Sequence, residues 1–275
     1  MHAYVVNLAR SADRRTSIVA ALERAGQDYE IFTGVDGQAL DFSDPAVRGE
    51  LAPGFLASFR PGEAGCALSH INVYRKILAD GRDRALVLED DVIVPPELPG
   101  LADAIGSCLQ GAEAALLCFD SNADEDVLLS RRDAVALPSG RQLVFPLEVG
   151  QLQSTAGYVI TREACERMVK LAVPVQTKAD GWGLFRQIGA LDQVRCVVPL
   201  GVHKDPWFGS TIGYNADTSL KARALALIDR FDPGMVKRAV AYRRERIHRR
   251  HTRVKFVDDV TRSAAAPWRR SRTAP

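Results

Sequence analysis

The stretch LVLEDDVIV, Leu86–Val94, places three consecutive acids, Glu89, Asp90 and Asp91, inside an otherwise aliphatic segment. The run Leu86–Leu88 predicts a buried strand, because continuous aliphatic residues are typical of strands covered on both faces. Adjacent carboxylates repel one another, and burying them without partners is costly. Either the strand ends there and the acids form a solvated turn, or a cation lies among them.

The segments around this strand predict an α/β fold with a mostly parallel central sheet. An apolar run at Ala3–Leu8, a helix that stops at Gly26 and a short strand at Tyr29–Thr33 form a β-α-β opening. Further strands are expected at Ala114–Phe119, Gln142–Pro146 (at an edge), Thr155–Ile160 and Val194–Pro199, and further helices at Pro61–Ala79 and Arg162–Leu171.

The net charge of +2 conceals an acidic body and a basic tail. From Met235 onward, thirteen lysines and arginines accompany three acids, a net charge of +10, so the rest of the chain carries −8. We expect a catalytic domain at 1–215, a basic helical extension at 216–262 and a disordered tail at 263–275. Three interpretations of the extension are open: a solvated helix, a contact with an anionic membrane surface, or nucleic-acid binding. The last is least favoured, because the acidic body would repel a phosphate backbone.

The cysteine pattern and the hydropathy favour a cytoplasmic protein. The five cysteines are scattered and show no zinc-binding spacing, so we expect reduced thiols. The first residues lack the pattern of a signal peptide or an anchor, and no segment approaches the roughly 18 consecutive apolar residues of a membrane span. If the basic tail binds lipid, the protein would lie on the inner face of the cytoplasmic membrane.

The three acids follow a strand, and in open α/β sheets ligands bind outside the carboxyl ends of the strands. Clusters of oxygen ligands suit hard cations such as Mg²⁺ or Mn²⁺, which can neutralise charge on a departing diphosphate. An isolated acidic cluster is also typical of a solvated strand end. The acids therefore indicate a metal site only in combination with other residues.

The segment PGEAGCALSHINVYRKI supplies such residues on one helix. Glu63, Cys66 and His70 follow helical spacing and share a face, while Gly62 and Gly65 allow another backbone to approach closely. The alternative for His70 is a structural histidine that is hydrogen-bonded inside a packed helix.

Two loops carry further candidates. In NLARSADRR, Arg10 and Arg14 lie near a helix N-terminus, which suits an anion or phosphate site, although a solvated basic face is common. In VHKDPWFGSTI, His203 is a candidate metal ligand or phosphate contact, and Trp207 either stacks on a sugar or base or packs within the loop. In KADGWGLF, Asp180 is a carboxylate beside an aromatic platform. Neither GxGxxG nor GxxxxGK[ST] is present.

The order of these segments resembles glycosyltransferase family 25. VVNLARSADRR, GVDG, PGEAGCALSHINVYRKI, ALVLEDDV, STAGYVITREACERMV, KADGWGLF and HKDPWFGSTI follow one another between Ala3 and Ile212. The GE-GC-LSH and LEDD segments are the most specific parts. The resemblance implies a GT-A type nucleotide-sugar-binding fold and transfer of a hexose, often galactose, from a UDP-sugar to a hydroxyl of a glycan or glycolipid, with inversion. Bacterial members of this family act in lipopolysaccharide biosynthesis.

The resemblance also implies roles for individual residues. The three acids would bind the diphosphate and a Mn²⁺ or Mg²⁺ ion, with Asp91 the first candidate for a ligand and Glu89 and His203 further candidates. Asp180 is our first candidate for the base that activates the acceptor hydroxyl, and Glu63 is the second. The donor site is expected to comprise Asn7, Arg10, Arg14, Glu63, Ser69, His70, Glu89, Asp90, Trp207 and Ser210.

Two other functions fit the same residues. A Mg²⁺-dependent phosphoryl or nucleotidyl transferase could use the same acids, and it would turn over nucleotide without transferring sugar. A catalytically degenerate sugar-nucleotide-binding scaffold would bind without turnover.

Overall fold

The structure, a computed structural model, describes residues 1–121, 126–205, 207–208 and 254–257. The strands are β1 (Ala3–Asn7), β2 (Tyr29–Thr33), β3 (Arg84–Glu89), β4 (Val92–Ile93), β5 (Glu113–Ser121), β6 (Val127–Ala136), β7 (Gln142–Pro146), β8 (Leu152–Thr161), β9 (Gln193–Val198), β10 (His203–Lys204) and β11 (Val254–Phe256). The helices are α1 (Ala12–Ala25), α2 (Pro45–Glu50), α3 (Phe55–Ser58), α4 (Pro61–Ala79), α5 (Leu98–Cys108), α6 (Arg162–Leu171) and α7 (Trp182–Gln187).

Nine strands form one mixed sheet in the order β2-β1-β3-β8-β5-β9-β7-β6-β11, and β4 pairs with β10 beside it. The expectation of a mostly parallel sheet is wrong: β8 runs antiparallel to both β3 and β5, and β7 is antiparallel to both β6 and β9. Strand β7 is also interior rather than at an edge. Strands covered on both faces show continuous apolar runs in either direction, so the sequence does not reveal their polarity.

Helices cover both faces of the sheet, which gives a three-layer α/β architecture. On β3, Ala85 and Val87 pack into a core with α4, α6 and α7. The alternate residues Leu86 and Leu88 pack into the other core with α1 and α5. Because successive side chains of a strand point to opposite faces, the apolar run that opens the LEDD segment fills both cores.

Most of the predicted elements are present with nearly the expected bounds, including α1, α4 and α6. Helix α1 ends at Gly26, whose φ of 67° is in the left-handed region that favours glycine. Two long elements carry no clear sequence signal. Helix α5 begins with Leu-Pro-Gly, in which the glycine disfavours a helix and the proline is compatible with one only in the first turn, and β6 contains the charged run Arg131–Asp133.

The basic extension at 216–262 and the tail at 263–275 lie almost entirely outside the described residues. The exception is β11, three residues that pair parallel with β6 at the sheet edge, so the helical expectation does not hold for them. The guanidinium of Arg131 lies 3.9 Å from the centre of the Phe256 ring. Within the described ranges, we find no helix that combines the length and the apolar character needed to cross a membrane.

Helix α4 packs closely against the turn Gly34–Gly37 because Gly65 has no side chain. A Cβ atom on Gly65 would lie 2.4 Å from the backbone nitrogen of Gly37 and 2.6 Å from the carbonyl oxygen of Val35. The same approach lets the Ser69 hydroxyl accept a hydrogen bond from the Val35 amide at 2.8 Å. The glycine therefore sets the distance between α4 and the turn.

We predict that Gly65→Ala lowers the free energy of unfolding by about 2–3 kcal/mol, because two backbone segments would have to separate. The matched control is Gly49→Ala in α2, where a Cβ atom meets nothing within 4 Å. This control should stay within about 1 kcal/mol of the parent chain, or be more stable. Urea unfolding measures both changes, and equal values for the two variants would contradict the packing described.

Candidate active site

A cleft opens at one end of the central strands, beyond the carboxyl ends of β1, β3 and β5. Strands β1, β3 and β5 run in the same direction, so Asn7, Glu89 and Asp120 lie towards one edge. Strand β8 runs in the opposite direction and brings Gln153–Thr155 to that edge. The cleft has a volume of about 520 Å³, which is within the range of small-molecule sites. The predicted site residues that line it are Arg10, Arg14, Glu63, Ser69, His70, Glu89, Asp90, Asp91 and Asp180.

The other predicted residues have different positions. Asn7 is buried and touches the acids without lining the cleft. His203 is exposed on β10 and is not among the lining residues; its neighbour Lys204 lines the cleft, since alternate side chains of a strand point to opposite sides. Trp207 is 37% exposed and is also absent from the lining. Ser210 lies outside the described residues.

Asp90 is bound by partners from β1 and α1. The Asn7 side-chain amide donates to Asp90 Oδ2 at 2.7 Å, and Arg14 Nη1 donates to Asp90 Oδ1 at 3.0 Å. Only 8% of each side chain of the Arg14–Asp90 ion pair is exposed. Burial raises the pKa of Asp90, although Asn7 and Arg14 both favour its ionised form. Asp90 therefore joins the end of β3 to the end of β1 and to the first turn of α1.

Glu89 is directed towards α4 and β8. Its Oε1 atom accepts a hydrogen bond from the Thr155 hydroxyl at 2.5 Å and lies 3.7 Å from His70 Nε2. Burial opposes ionisation, but His70, Lys204 and Thr155 outweigh it, so the pKa of Glu89 is held below its usual range. Glu89 is therefore a carboxylate at neutral pH.

Of the three adjacent acids, Asp91 has the fewest hydrogen-bond partners. Its Oδ1 atom is buried and has no hydrogen-bond partner among the described residues, and Oδ2 lies 3.5 Å from Arg14 Nη1. Burial, and then the charge of Glu89, raise the pKa of Asp91 to about 7. A buried oxygen without a hydrogen-bond donor is a suitable ligand for a hard divalent cation, so the residues fit Mn²⁺ or Mg²⁺.

An ion pair that the sequence did not suggest completes the charge pattern. Lys204 Nζ donates to Asp120 Oδ2 at 2.9 Å, and both residues line the cleft. Burial alone would lower the pKa of Lys204, but the carboxylates of Asp120 and Glu89 raise it above its usual range. Asp120 follows an apolar strand as Glu89 does, so its position was the available signal. The cleft thus contains two buried or half-buried cations, Arg14 and Lys204, beside its acids.

The remaining predicted donor residues have structural partners. Arg10 forms an ion pair with Asp36 of the Gly34–Gly37 turn, and the Ser69 hydroxyl donates to the Gly65 carbonyl at 2.7 Å. Phe208, which the sequence did not single out, lines the cleft, and its ring centre lies 5.4 Å from the Arg14 guanidinium. These contacts fix the walls of the cleft around the acids.

The two candidate bases differ in their surroundings. The Glu63 carboxylate accepts a hydrogen bond from the Arg60 amide at 2.8 Å and closes a capping box at the start of α4. Asp180 lines the same cleft, and its Oδ2 atom accepts from the Ser154 amide at 3.1 Å. The helix cap gives Glu63 a structural role that Asp180 does not have.

The segment that carries Asp180 is positioned by a strained residue. Ser154 has a φ of 91°, unusual for a residue other than glycine. Its amide binds Asp180, and its carbonyl accepts from Trp182 Nε1 at 3.2 Å. Trp182 is fully buried, so it is a core residue and not the aromatic platform we expected beside Asp180. Its size and its one donor suit a core site with a carbonyl partner.

Acids and cations gathered at the ends of strands, in a sheet covered by helices, define a ligand-binding α/β domain. The model of glycosyltransferase family 25 (LPS biosynthesis protein) matches residues 1–182. This is well over half of the chain, and the chain belongs to that family. The resemblance drawn from the sequence is thereby confirmed.

Several curated relatives match parts of the chain. A "Glycosyltransferase 25 family member" of Anopheles gambiae is 30% identical over 178 residues, 62% of this chain and 28% of that protein. "Procollagen galactosyltransferase 2" of Homo sapiens is 36% identical over 95 residues, 32% and 15% of the two chains. "Inactive glycosyltransferase 25 family member 3" of Homo sapiens is 32% identical over 125 residues, 42% and 20%. The chain spans less than a third of the length of these relatives.

We predict that Asp91→Asn stabilises the metal-free protein at pH 8 but not at pH 4. Folding raises the pKa of this carboxyl to about 7, so the folded state binds the proton more tightly than the unfolded chain. Stability therefore falls as the pH rises from about 4 to 7, and the amide removes this loss, worth about 4 kcal/mol at about 1.4 kcal/mol for each pKa unit. Urea unfolding in a chelator at both pH values measures it, and equal effects at the two pH values would contradict the assignment.

Proposed function

We propose that this chain is a glycosyltransferase that moves a hexose, with galactose the first candidate, from a UDP-sugar to a hydroxyl of a glycan or glycolipid acceptor. The observation that carries the proposal is the buried Asp91 Oδ1 atom, which has no hydrogen-bond partner among the described residues and belongs to a cleft with two cations. Family membership and the galactosyltransferase names of several relatives support it.

On the donor side, Asp91 and Glu89 are the carboxylates that would hold Mn²⁺ or Mg²⁺. Such an ion, when bound, would neutralise charge on the departing nucleotide diphosphate. Arg14 and Lys204 line the same cleft and would attract the phosphates from the protein side. His203 is a weaker candidate for a ligand, because its strand directs Lys204 rather than His203 to the cleft.

On the acceptor side, we assign the base to Asp180. Inversion requires a base that takes the proton of the acceptor hydroxyl on the face of the sugar opposite the leaving group. Asp180 lines the cleft from the segment before α7, beside the start of β8, whereas the acids line it from the end of β3. Its amide contact with Ser154 fixes the carboxylate while 20% of the side chain remains accessible. Glu63, in contrast, has its carboxylate bound in the helix cap.

The basic part of the chain from Met235 onward favours an acceptor that lies at a membrane. Each basic residue near an anionic membrane surface contributes about 1 kcal/mol of attraction. In our proposal this part of the chain brings a cytoplasmic enzyme to a glycolipid acceptor at the inner face of the membrane. Binding of the full chain to vesicles with and without anionic lipid tests this step.

We predict that a UDP-sugar raises the melting temperature only when Mn²⁺ or Mg²⁺ is present. A ligand at about 100 times its dissociation constant adds about 2.7 kcal/mol of stability. A panel of UDP-, GDP- and CMP-sugars with and without metal makes the measurement, and Asp91→Asn should remove the metal-dependent part. Stabilisation by UDP-sugar without any sugar transfer would favour a binding scaffold, as the name of the inactive human relative suggests for that protein. Release of nucleotide without transfer would favour the phosphoryl or nucleotidyl transferase.

We predict that Asp180→Asn lowers kcat about 10²–10⁴-fold, because the base is lost, while binding of the UDP-sugar is retained. The comparison variant is Glu63→Gln, which should chiefly cost about 1 kcal/mol of stability through the weakened helix cap. Steady-state kinetics and thermal melting of both variants make the comparison. If Glu63→Gln loses transfer and Asp180→Asn keeps it, the base has been assigned to the wrong residue.

A further inference from the structure

Three potential metal ligands of different chemistry meet at the inner wall of the cleft. Cys66 and His70 are one turn apart on α4, and Glu89 is at the end of β3. The thiol sulfur, an imidazole nitrogen and a carboxylate oxygen of these residues all lie within 4.8 Å of one another. His70 is 2% exposed, whereas Cys66 and Glu89 are half-buried and border the cleft.

The hydrogen bonds of His70 leave one ring nitrogen directed at this cluster. The Tyr158 hydroxyl donates to Tyr74 at 2.9 Å, so its oxygen can accept from His70 Nδ1 at 2.7 Å. In that tautomer Nε2 carries a lone pair. Nε2 is buried, has no hydrogen-bond partner among the described residues and faces Glu89 Oε1 at 3.7 Å. Two lone pairs that face each other repel, and a cation between them removes that repulsion, whether it is a proton on Nε2 that makes His70 a donor to Glu89 or a metal ion.

We propose that Cys66, His70 and Glu89 form a binding site for a borderline-soft transition-metal ion such as Zn²⁺. Sulfur, nitrogen and oxygen ligands are the set that proteins use for zinc, and three protein ligands leave a fourth position open to the cleft. The ligands of a tetrahedral zinc ion stand about 3.6 Å apart, as Nε2 and Oε1 of the pair already do. The sulfur lies within 4.8 Å of the other two ligand atoms, so a side-chain movement of about 1 Å brings it to the ion, and its thiol proton passes to solvent.

This site differs from the oxygen-donor site proposed at Asp91. The thiolate and imidazole select against Mg²⁺, whereas the carboxylate of Asp91 suits it. Glu89 belongs to both ligand sets, so we expect Zn²⁺ to withdraw it from the ion at Asp91. Zinc should then inhibit any activity that depends on Mn²⁺ or Mg²⁺, and an excess of the hard ion should relieve the inhibition.

Tyr158 is a positioning residue in this arrangement, because it orients the imidazole without touching the ion. Partners of this kind, which hold the second nitrogen of a metal-bound histidine, typically contribute 10–100-fold to metal affinity. Tyr158→Phe keeps the ring in the core and removes the hydroxyl. If Co²⁺ is used in place of Zn²⁺, this variant should bind it about 10–100-fold more weakly but should keep the sulfur-to-cobalt absorption band that a Cys66 ligand gives.

The test is a titration of the metal-stripped full chain with Co²⁺, which takes zinc sites and reports its ligands by absorption. We expect an intense sulfur-to-cobalt charge-transfer band and visible bands of a tetrahedral ion. Cys66→Ser should abolish the charge-transfer band, and Asp91→Asn should retain it. The matched control is Cys108→Ser on α5, where Cys108 Sγ donates to the Ala104 carbonyl at 3.2 Å, a contact that serine can keep. This control should leave the spectrum unchanged.

His70→Gln provides a second variant in case Cys66→Ser does not fold, and it should weaken cobalt binding at least tenfold. A wild-type chain without the charge-transfer band would overturn the proposal and identify the cluster as an ion pair only. A band that persists in folded Cys66→Ser would overturn it equally. Neither result depends on sugar transfer, so this proposal and the proposed function can fail separately.

Discussion

The buried ion pair between Arg14 and Asp90 is the contact on which the site depends. It joins the first turn of α1 to the end of β3, and Asn7 adds β1 to the same carboxylate. Removing one member of such a pair leaves the other charge buried, which typically costs 3–5 kcal/mol. With Asp90 bound in this way, the acids on either side are directed to different surroundings.

Strand geometry explains how three adjacent acids are tolerated. Glu89 follows Val87 in the alternation and reaches the α4 side, where His70 and Thr155 meet it. Asp90 follows Leu88 and reaches the α1 side, where Arg14 lies. Asp91 remains with a buried oxygen that no described donor contacts. Both alternatives posed by the sequence are therefore partly right: the strand ends at the acids, and cations lie among them, but these cations are protein side chains.

The sequence predicted what depends on local pattern and not what depends on pairing. The strand ends, the glycine contacts of α4 and the acid cluster follow from residue type and spacing. The direction of β8 does not, because a strand buried on both faces carries no mark of its polarity. We singled out His203 from the sequence, whereas its neighbour Lys204 lines the cleft, because only the register of β10 decides which of the two side chains faces the acids. Trp182 looked like a surface platform because burial of an aromatic residue beside glycines cannot be read from sequence.

The strained backbone of Ser154 orients Asp180 during folding, before any ligand binds. A residue held outside its preferred φ region typically stores about 1–3 kcal/mol, which packing of the surrounding strands and of Trp182 must offset when the chain folds. The direction of the Asp180 carboxylate is thus fixed before any ligand arrives. In the proposed role of Asp180 as the base, no free energy is spent on orienting this carboxylate during the reaction, so its preorganisation is inherited from folding rather than induced by substrate.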